Sequence, residues 1–305
     1  MRDKDLRGVI AASLTPVTEG LEIDTDRLGA HSAGLLDQGC DFVSVFGTTG
    51  EGASFSPQQK IAALRAMAAG GGVAMDRLVP AVIGSTIDGA IRVLDATADL
   101  GCRAALVLPP YYYAAGEEGI AAFYDAVLQK AAAPDLPVIL YHIPDRSRVP
   151  ITPGLTRRLV DRHGMRIVGI KDSTGDPDYG VMLARTFPGL AIFTGDDRVL
   201  PDLLAAGGAG LIGGLPNLFA PDLAALCRSP QGEDGPRLIR LAKARIDAVD
   251  HEDGIAVMKG ILARATDDPS WRRVMPPLLP SSDARLDEVQ HALAAAGPGP
   301  GVAAA

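Results

Sequence analysis

Cysteine, lysine, aromatic residues and long apolar runs are all scarce in this chain, and each shortage excludes something. Only three cysteines occur in 305 residues (Cys40, Cys102 and Cys227), at no metal-type spacing, so neither a disulfide framework nor a thiolate zinc site is expected. Cys40 and Cys102 each follow a glycine and precede an apolar run, the setting of small buried hydrophobes, and a reducing cytoplasm is the expected compartment. His31, His142, His163, His251 and His291 never approach one another at ligand spacing. A zinc-dependent mechanism is therefore disfavoured, and no metal or cofactor is expected. Basic clusters are also missing: 29 Lys and Arg stand against 37 Asp and Glu, a formal net charge of −8, which argues against nucleic acid as a partner. The charge-free stretch from Leu203 to Pro221 is broken by Gly207, Gly208, Gly210, Gly213, Gly214 and Pro216, so it reads as helix end, strand and loop, and no membrane span is expected. The opening MRDKDLRG has no apolar stretch, and no secretory signal is expected there.

What is present is a march of short apolar runs separated by amphipathic segments. Strands are predicted near Gly8 (GVIAASL), Asp41 (DFVSVF), Leu78 (LVPAVI), Arg103 (RAALVLP), Pro137 (PVILYH), Met165 (MRIVGIK), Leu190 (LAIFTG) and Ala209 (AGLIGG). Successive starts lie 19 to 37 residues apart, room enough for the crossover helix that parallel strands require. The runs are continuous, not alternating, as expected of strands covered on both faces. LLDQGCDFVSVF, ATADLGCRAALVL and LLAAGGAGLIGG each read as helix end, glycine, strand, with Gly39, Gly101 and Gly207 or Gly208 supplying a left-handed turn. Eight such units predict an α/β fold, a (β/α)8 TIM barrel, over residues 1–222; an open doubly wound sheet is the alternative, weakened by the lack of GxGxxG after the first strand. Helical patterns at PDLAALCRS, Pro236 to Val249, Gly254 to Ala265 and Leu286 to Ala296 predict a C-terminal helical extension over 223–296, followed by a mobile tail at 297–305.

In such a barrel the active site sits at the carboxyl ends of the strands. Six lysines against 23 arginines make each lysine a sparing choice, and Lys171 closes the apolar run IVGI. A strand-end lysine often pairs with a surface carboxylate. In a desolvated barrel mouth, however, the ammonium is disfavoured, and the free amine can attack a ketone to form a Schiff base. Such chemistry needs a cradle for a keto-acid carboxylate, and GTTGE at 47–51 offers backbone N–H groups and hydroxyls, although the same string could be a turn with a helix cap. It also needs a proton shuttle; Tyr141, at the end of the preceding strand, is the candidate, against the plainer reading of a core ring with a wet hydroxyl.

These residues resemble the dihydrodipicolinate synthase/N-acetylneuraminate lyase superfamily of Schiff-base-forming (class I) aldolases. The matching motifs are Thr15-Pro16, GTTGE at 47–51, PYY at 110–112, YHIP at 141–144, GIKDSTGD at 169–176 and GDD at 195–197, in the family's order. The resemblance implies that Lys171 forms the imine and Tyr141 relays protons above it. Thr48 then connects Tyr141 to Tyr112, which belongs to a neighbouring subunit's site, so a homodimer or homotetramer is implied. Thr49 holds the pyruvate carboxylate, Ile212 lines the pocket opposite, and Gly195 borders the substrate. Arg146 falls where the synthases receive the second substrate's carboxylate, a task suited to a bidentate guanidinium. Pyruvate and aspartate semialdehyde are thus the implied substrates; a 2-keto-3-deoxy sugar acid is the alternative, and a non-catalytic keto-acid binder a third. Three features depart from the synthase pattern: His142 replaces asparagine, Ser147-Arg148-Val149-Pro150 follows Arg146 in place of Thr-Gly, and Gly213-Gly214-Leu215-Pro216-Asn217 stands in place of Ser-Val-x-x-Asn. Pro57, Lys60 and Asp88 occupy the positions where lysine-inhibited synthases bind their effector, so lysine feedback is not implied.

Overall fold

The computed structural model describes residues 6–297, so all of the proposed tail except Gly297 lies outside the described residues. The strands are β1 Gly8–Ala12, β2 Phe42–Ser44, β3 Ala81–Val82, β4 Ala105–Val107, β5 Val138–His142, β6 Ile167–Asp172, β7 Ala191–Thr194 and β8 Gly210–Gly213. Between them run α1 Thr25–Asp37, α2 Pro57–Gly70, α3 Ile87–Asp99, α4 Glu117–Lys130, the short α5 Pro144–Ser147, α6 Pro153–His163, α7 Pro177–Thr186 and α8 Leu200–Ala205. After β8 come α9 Pro216–Arg228, α10 Gly235–Val249, α11 Gly254–Ala265 and α12 Asp283–Ala296.

All eight predicted strands form, and all pairings are parallel in the order β2-β1-β8-β7-β6-β5-β4-β3. The ring closes where Val79 N donates to Val43 O and Ala81 N to Val45 O, both at 2.8 Å. Because the two ends of that order, β2 and β3, are themselves joined, the sheet is a barrel and not an open doubly wound sheet. β3 keeps only two residues of LVPAVI in regular pairing, because Pro80 has no N–H to give to a ladder. Gly39, Gly101 and Gly207 have φ of 100°, 73° and 83°, so the turn from helix to strand uses the left-handed backbone expected of them.

Two-sided burial explains the continuous apolar strands. Ile10, Leu106, Ile139, Phe193 and Ile212 fill the interior, while Val9, Val107, Leu140 and Leu211 face the helices. β6 departs from simple alternation. Its register against β5 runs Val138 to Ile167 and then Ile139 to Gly169, leaving Val168 as an extra residue. This bulge turns Ile170 toward the helices and Lys171 toward the barrel mouth. A Cβ on Gly169 would lie 2.4 Å from Ala191 O, so only glycine lets β7 approach here.

The helix predicted from Pro221 begins earlier, at Pro216, and bends at Phe219 (φ −139°, ψ 36°), next to the interior Pro221. Arg245 of α10 ties the extension to this bend: it donates to Asp222 at 2.7 Å and lies 4.0 Å from the Phe219 ring centre. Among the described residues no helix is long and apolar enough to cross a membrane.

Candidate active site

Lys171 and Tyr141 are direct register partners on β6 and β5. Both side chains are almost wholly enclosed, at 5% and 1% exposure. Lys171 Nζ donates to the Tyr141 hydroxyl at 3.3 Å and sits 4.4 Å from its ring centre. On the other side, the Tyr141 hydroxyl lies 2.9 Å from Thr48 Oγ1. One phenol oxygen therefore touches both an amine and an alcohol, a continuous path for a proton in a site from which bulk water is largely withdrawn. A primary amine so placed can add to a ketone carbon, and the phenol can supply or remove the protons that addition and dehydration require.

These groups line a cavity of about 320 Å³, together with Thr49, Arg146, Gly195 and Ile212. Its size suits a small organic molecule. A Cβ on Gly195 would lie 2.1 Å from Ser173 Oγ and 3.1 Å from Lys171 Cε, so this glycine keeps the lysine's path open. The GTTGE loop is followed by a short 3-10 turn at Gly52–Ser54; α2 starts only at Pro57, capped by Ser56 and Gln59. The loop's hydroxyls therefore reach the cavity without the N-terminus of α2 beside them.

Arg146, in α5, is exposed and has no ion-pair partner among the described residues, while its guanidinium borders the cavity. Arg198, which lines the same cavity, is fully engaged: it grips Asp196 and reaches Asp247 and Asp250 on and just beyond α10. The two arginines thus differ in availability, and only Arg146 is free for an incoming anion. Tyr112 stands apart from the Lys171 cavity. It is 80% exposed and packs edge-on against Tyr113, with ring centres 5.1 Å apart.

Ser173, Thr174, Asp196 and Asp250 also line the cavity, and sequence reasoning did not select them. Ser173 lies two residues beyond Lys171, on the same side by strand period, and that signal could have found it. Asp250 comes from the end of α10, and no local pattern announces it. His142, by contrast, faces away from the cavity. Its Nδ1 lies 3.2 Å from Asp172 Oδ1 and its ring 5.0 Å from that of Tyr179, so the unusual histidine sits behind the site. The last residue of GDD, Asp197, is completely buried with neither carboxylate oxygen paired. Burial, reinforced by Asp196, pushes its pKa up to about 7. The Cys40 and Cys102 thiols are pushed up to about 12, chiefly by burial, so they are inert.

Residues 5–296 match the model of the dihydrodipicolinate synthetase family. The chain belongs to this family. It is 34% identical to the 4-hydroxy-tetrahydrodipicolinate synthase of Kineococcus radiotolerans, over 96% of this chain and 94% of that one. It is 38% identical to an uncharacterized DapA-like lyase of Chloroflexus aurantiacus, over 80% of each. The crystal structure of dihydrodipicolinate synthase from Agrobacterium tumefaciens superposes with a TM-score of 0.84 at 29% identity, covering 94% of this chain and 98% of that one. The chain is thus an enzyme of the lyase and aldolase class that this family comprises.

Proposed function

We propose that this enzyme joins pyruvate to an aldehyde through an imine on Lys171. The Lys171 amine attacks the pyruvate ketone carbon. Tyr141 gives a proton to the resulting oxygen, and water departs to leave a protonated imine. Loss of a proton from the methyl carbon yields an enamine, whose carbon attacks the aldehyde and forms the new carbon–carbon bond. Hydrolysis then frees the lysine. Thr49 holds the pyruvate carboxylate, Ile212 and Gly195 bound its pocket, and Thr48 links Tyr141 to Tyr112 of a neighbouring subunit in a homodimer or homotetramer. The observation that carries this reading is the enclosed amine, 3.3 Å from a phenol that itself contacts Thr48.

The aldehyde that Arg146 favours is aspartate semialdehyde, because an unpaired guanidinium at the rim suits a second carboxylate. The amino group of the freed adduct then closes onto its keto carbon with loss of water, so the reaction is 4-hydroxy-tetrahydrodipicolinate synthesis, a step of lysine biosynthesis in the cytoplasm. A second reading, a 2-keto-3-deoxy sugar acid, is favoured by the hydroxyls of Ser173 and Thr174, which line the same cavity as Lys171. The test is incubation with pyruvate and borohydride followed by intact-mass measurement. A covalent adduct that disappears in Lys171→Ala supports the imine, and an unlabelled wild type leaves only a non-catalytic binder. A panel of aldehydes and sugar acids with Arg146→Ala then assigns the substrate. Aspartate semialdehyde turnover untouched by that change removes the role given to the arginine.

A further inference from the structure

Behind the Thr48–Thr49 loop lies an ion pair that the chemistry above does not use. Glu51 and Lys259 are joined with both side chains at 0% exposure. The other Glu51 oxygen accepts the Met275 N–H at 2.6 Å, and Lys259 also donates to Arg273 O at 2.7 Å. Three distant segments therefore meet on one carboxylate and one ammonium: the barrel loop, α11, and the stretch that follows it.

The loop is held in a demanding shape. Glu51 adopts a left-handed backbone (φ 54°, ψ 30°), a conformation costly for a residue with a Cβ. Its N–H closes a turn on Thr48 O at 3.0 Å, and Gly52 N closes another on Gly47 O at 2.9 Å. Thr15 Oγ1 holds Gly50 O at 2.7 Å from the opposite side. The residue beside Lys259 reaches the same place: a Cβ on Gly214 would lie 3.2 Å from both Met258 Cε and Thr49 Oγ1, so α11 backs onto Thr49 across this glycine. A buried ion pair is often no more stabilising than well-packed apolar side chains of similar volume. What it adds here is direction, since it fixes the side chain of a residue whose backbone turn presents Thr48 and Thr49.

We infer that the Glu51–Lys259 pair positions the Thr48–Thr49 loop for keto-acid capture, making both members positioning residues supplied in part by the C-terminal extension. The inference rests on the imine reading above. Without Lys259, Glu51 is a buried carboxylate short of its counter-charge. The left-handed turn then relaxes, Thr48 Oγ1 moves off the Tyr141 hydroxyl, and the cradle around Thr49 loosens.

The experiment measures borohydride trapping of pyruvate against pyruvate concentration, alongside thermal unfolding, for the full chain and four variants. These are Glu51→Gln, Lys259→Met, their double combination, and Lys259→Arg. The first three are expected to fold and to trap pyruvate at saturation, but to need about tenfold more of it for half-maximal trapping, the scale of a small misplacement of binding groups. Lys259→Arg, which keeps the charge, is expected to restore most of that loss. Folded variants that trap pyruvate at the wild-type concentration overturn the inference while leaving the imine intact. Loss of folding in all the variants, the double included, makes the pair purely structural and overturns it as well. A wild type that traps nothing removes the imine reading and this inference together.

Discussion

The Tyr141 hydroxyl is a single atom with two neighbours, Lys171 Nζ and Thr48 Oγ1. Tyr141→Phe keeps the ring and its packing but removes that atom. Turnover is expected to fall by about 10²- to 10⁴-fold, the usual contribution of a positioned acid–base group. Prolonged trapping with pyruvate should still label Lys171; a variant with wild-type turnover would show that protons travel another way. Asp197 offers a test of burial without catalysis. Its carboxyl has an ordinary value of 3.8 and a folded value of about 7. Between those values the folded state keeps a proton that the unfolded chain has released, so stability falls as pH rises through this window. Asp197→Asn removes the charge, so its advantage over wild type should be near zero around pH 4 and complete above pH 7, at most roughly 4 kcal/mol. Denaturant unfolding of both proteins at either end of the window checks this, and a pH-independent difference sinks it.

At the level of the element, β6 decides most. Sequence pattern placed Lys171 at a strand end, and that is where it stands. Yet strict alternation from the inward-facing Val168 would have turned Lys171 toward the helices. The extra residue against β5 corrects the direction, and a bulge depends on the partner strand, which IVGIK alone does not reveal. Gly169 makes the same point: nothing in the string says that Ala191 O will come so close. Gly169→Ala is expected to force β6 and β7 apart, lowering stability by about 1–3 kcal/mol as overpacking does and slowing pyruvate trapping by Lys171. Thermal unfolding and trapping rates measure the two effects; an alanine variant matching wild type in both would mean that the strands part at no cost. Ser173 is legible from the two-residue period, whereas nothing in GTTGE reveals that Glu51 takes a left-handed backbone.

For the whole molecule the telling residue is Tyr112. It is exposed on the isolated chain, beside Tyr113 and away from the Lys171 cavity. If it completes a neighbouring subunit's site, Tyr112→Ala and Lys171→Ala are each inactive alone but lesion different sites. Mixing the two after partial unfolding and refolding should restore part of the activity, because a hybrid dimer contains one site with an intact Lys171 and an intact Tyr112. An affinity tag on one variant, with co-purification of the untagged one, confirms that hybrids form. Hybrids with no recovered activity would show that Tyr112 does not complete a neighbouring subunit's site.

The amino-acid sequence by itself determined the periodicity: eight buried strands, the glycines that turn helices into them, and the strand ends that carry Thr48, Tyr141 and Lys171. These follow from local rules of burial and backbone conformation that need only neighbouring residues. Tertiary structure alone decided which way Lys171 points, which arginine is free, and how α10 and α11 close in on the site. Those outcomes depend on strand register and on ion pairs between segments far apart in the chain, such as Arg198 with Asp250 and Glu51 with Lys259. Their energies exist only once folding has brought both partners out of water and into contact.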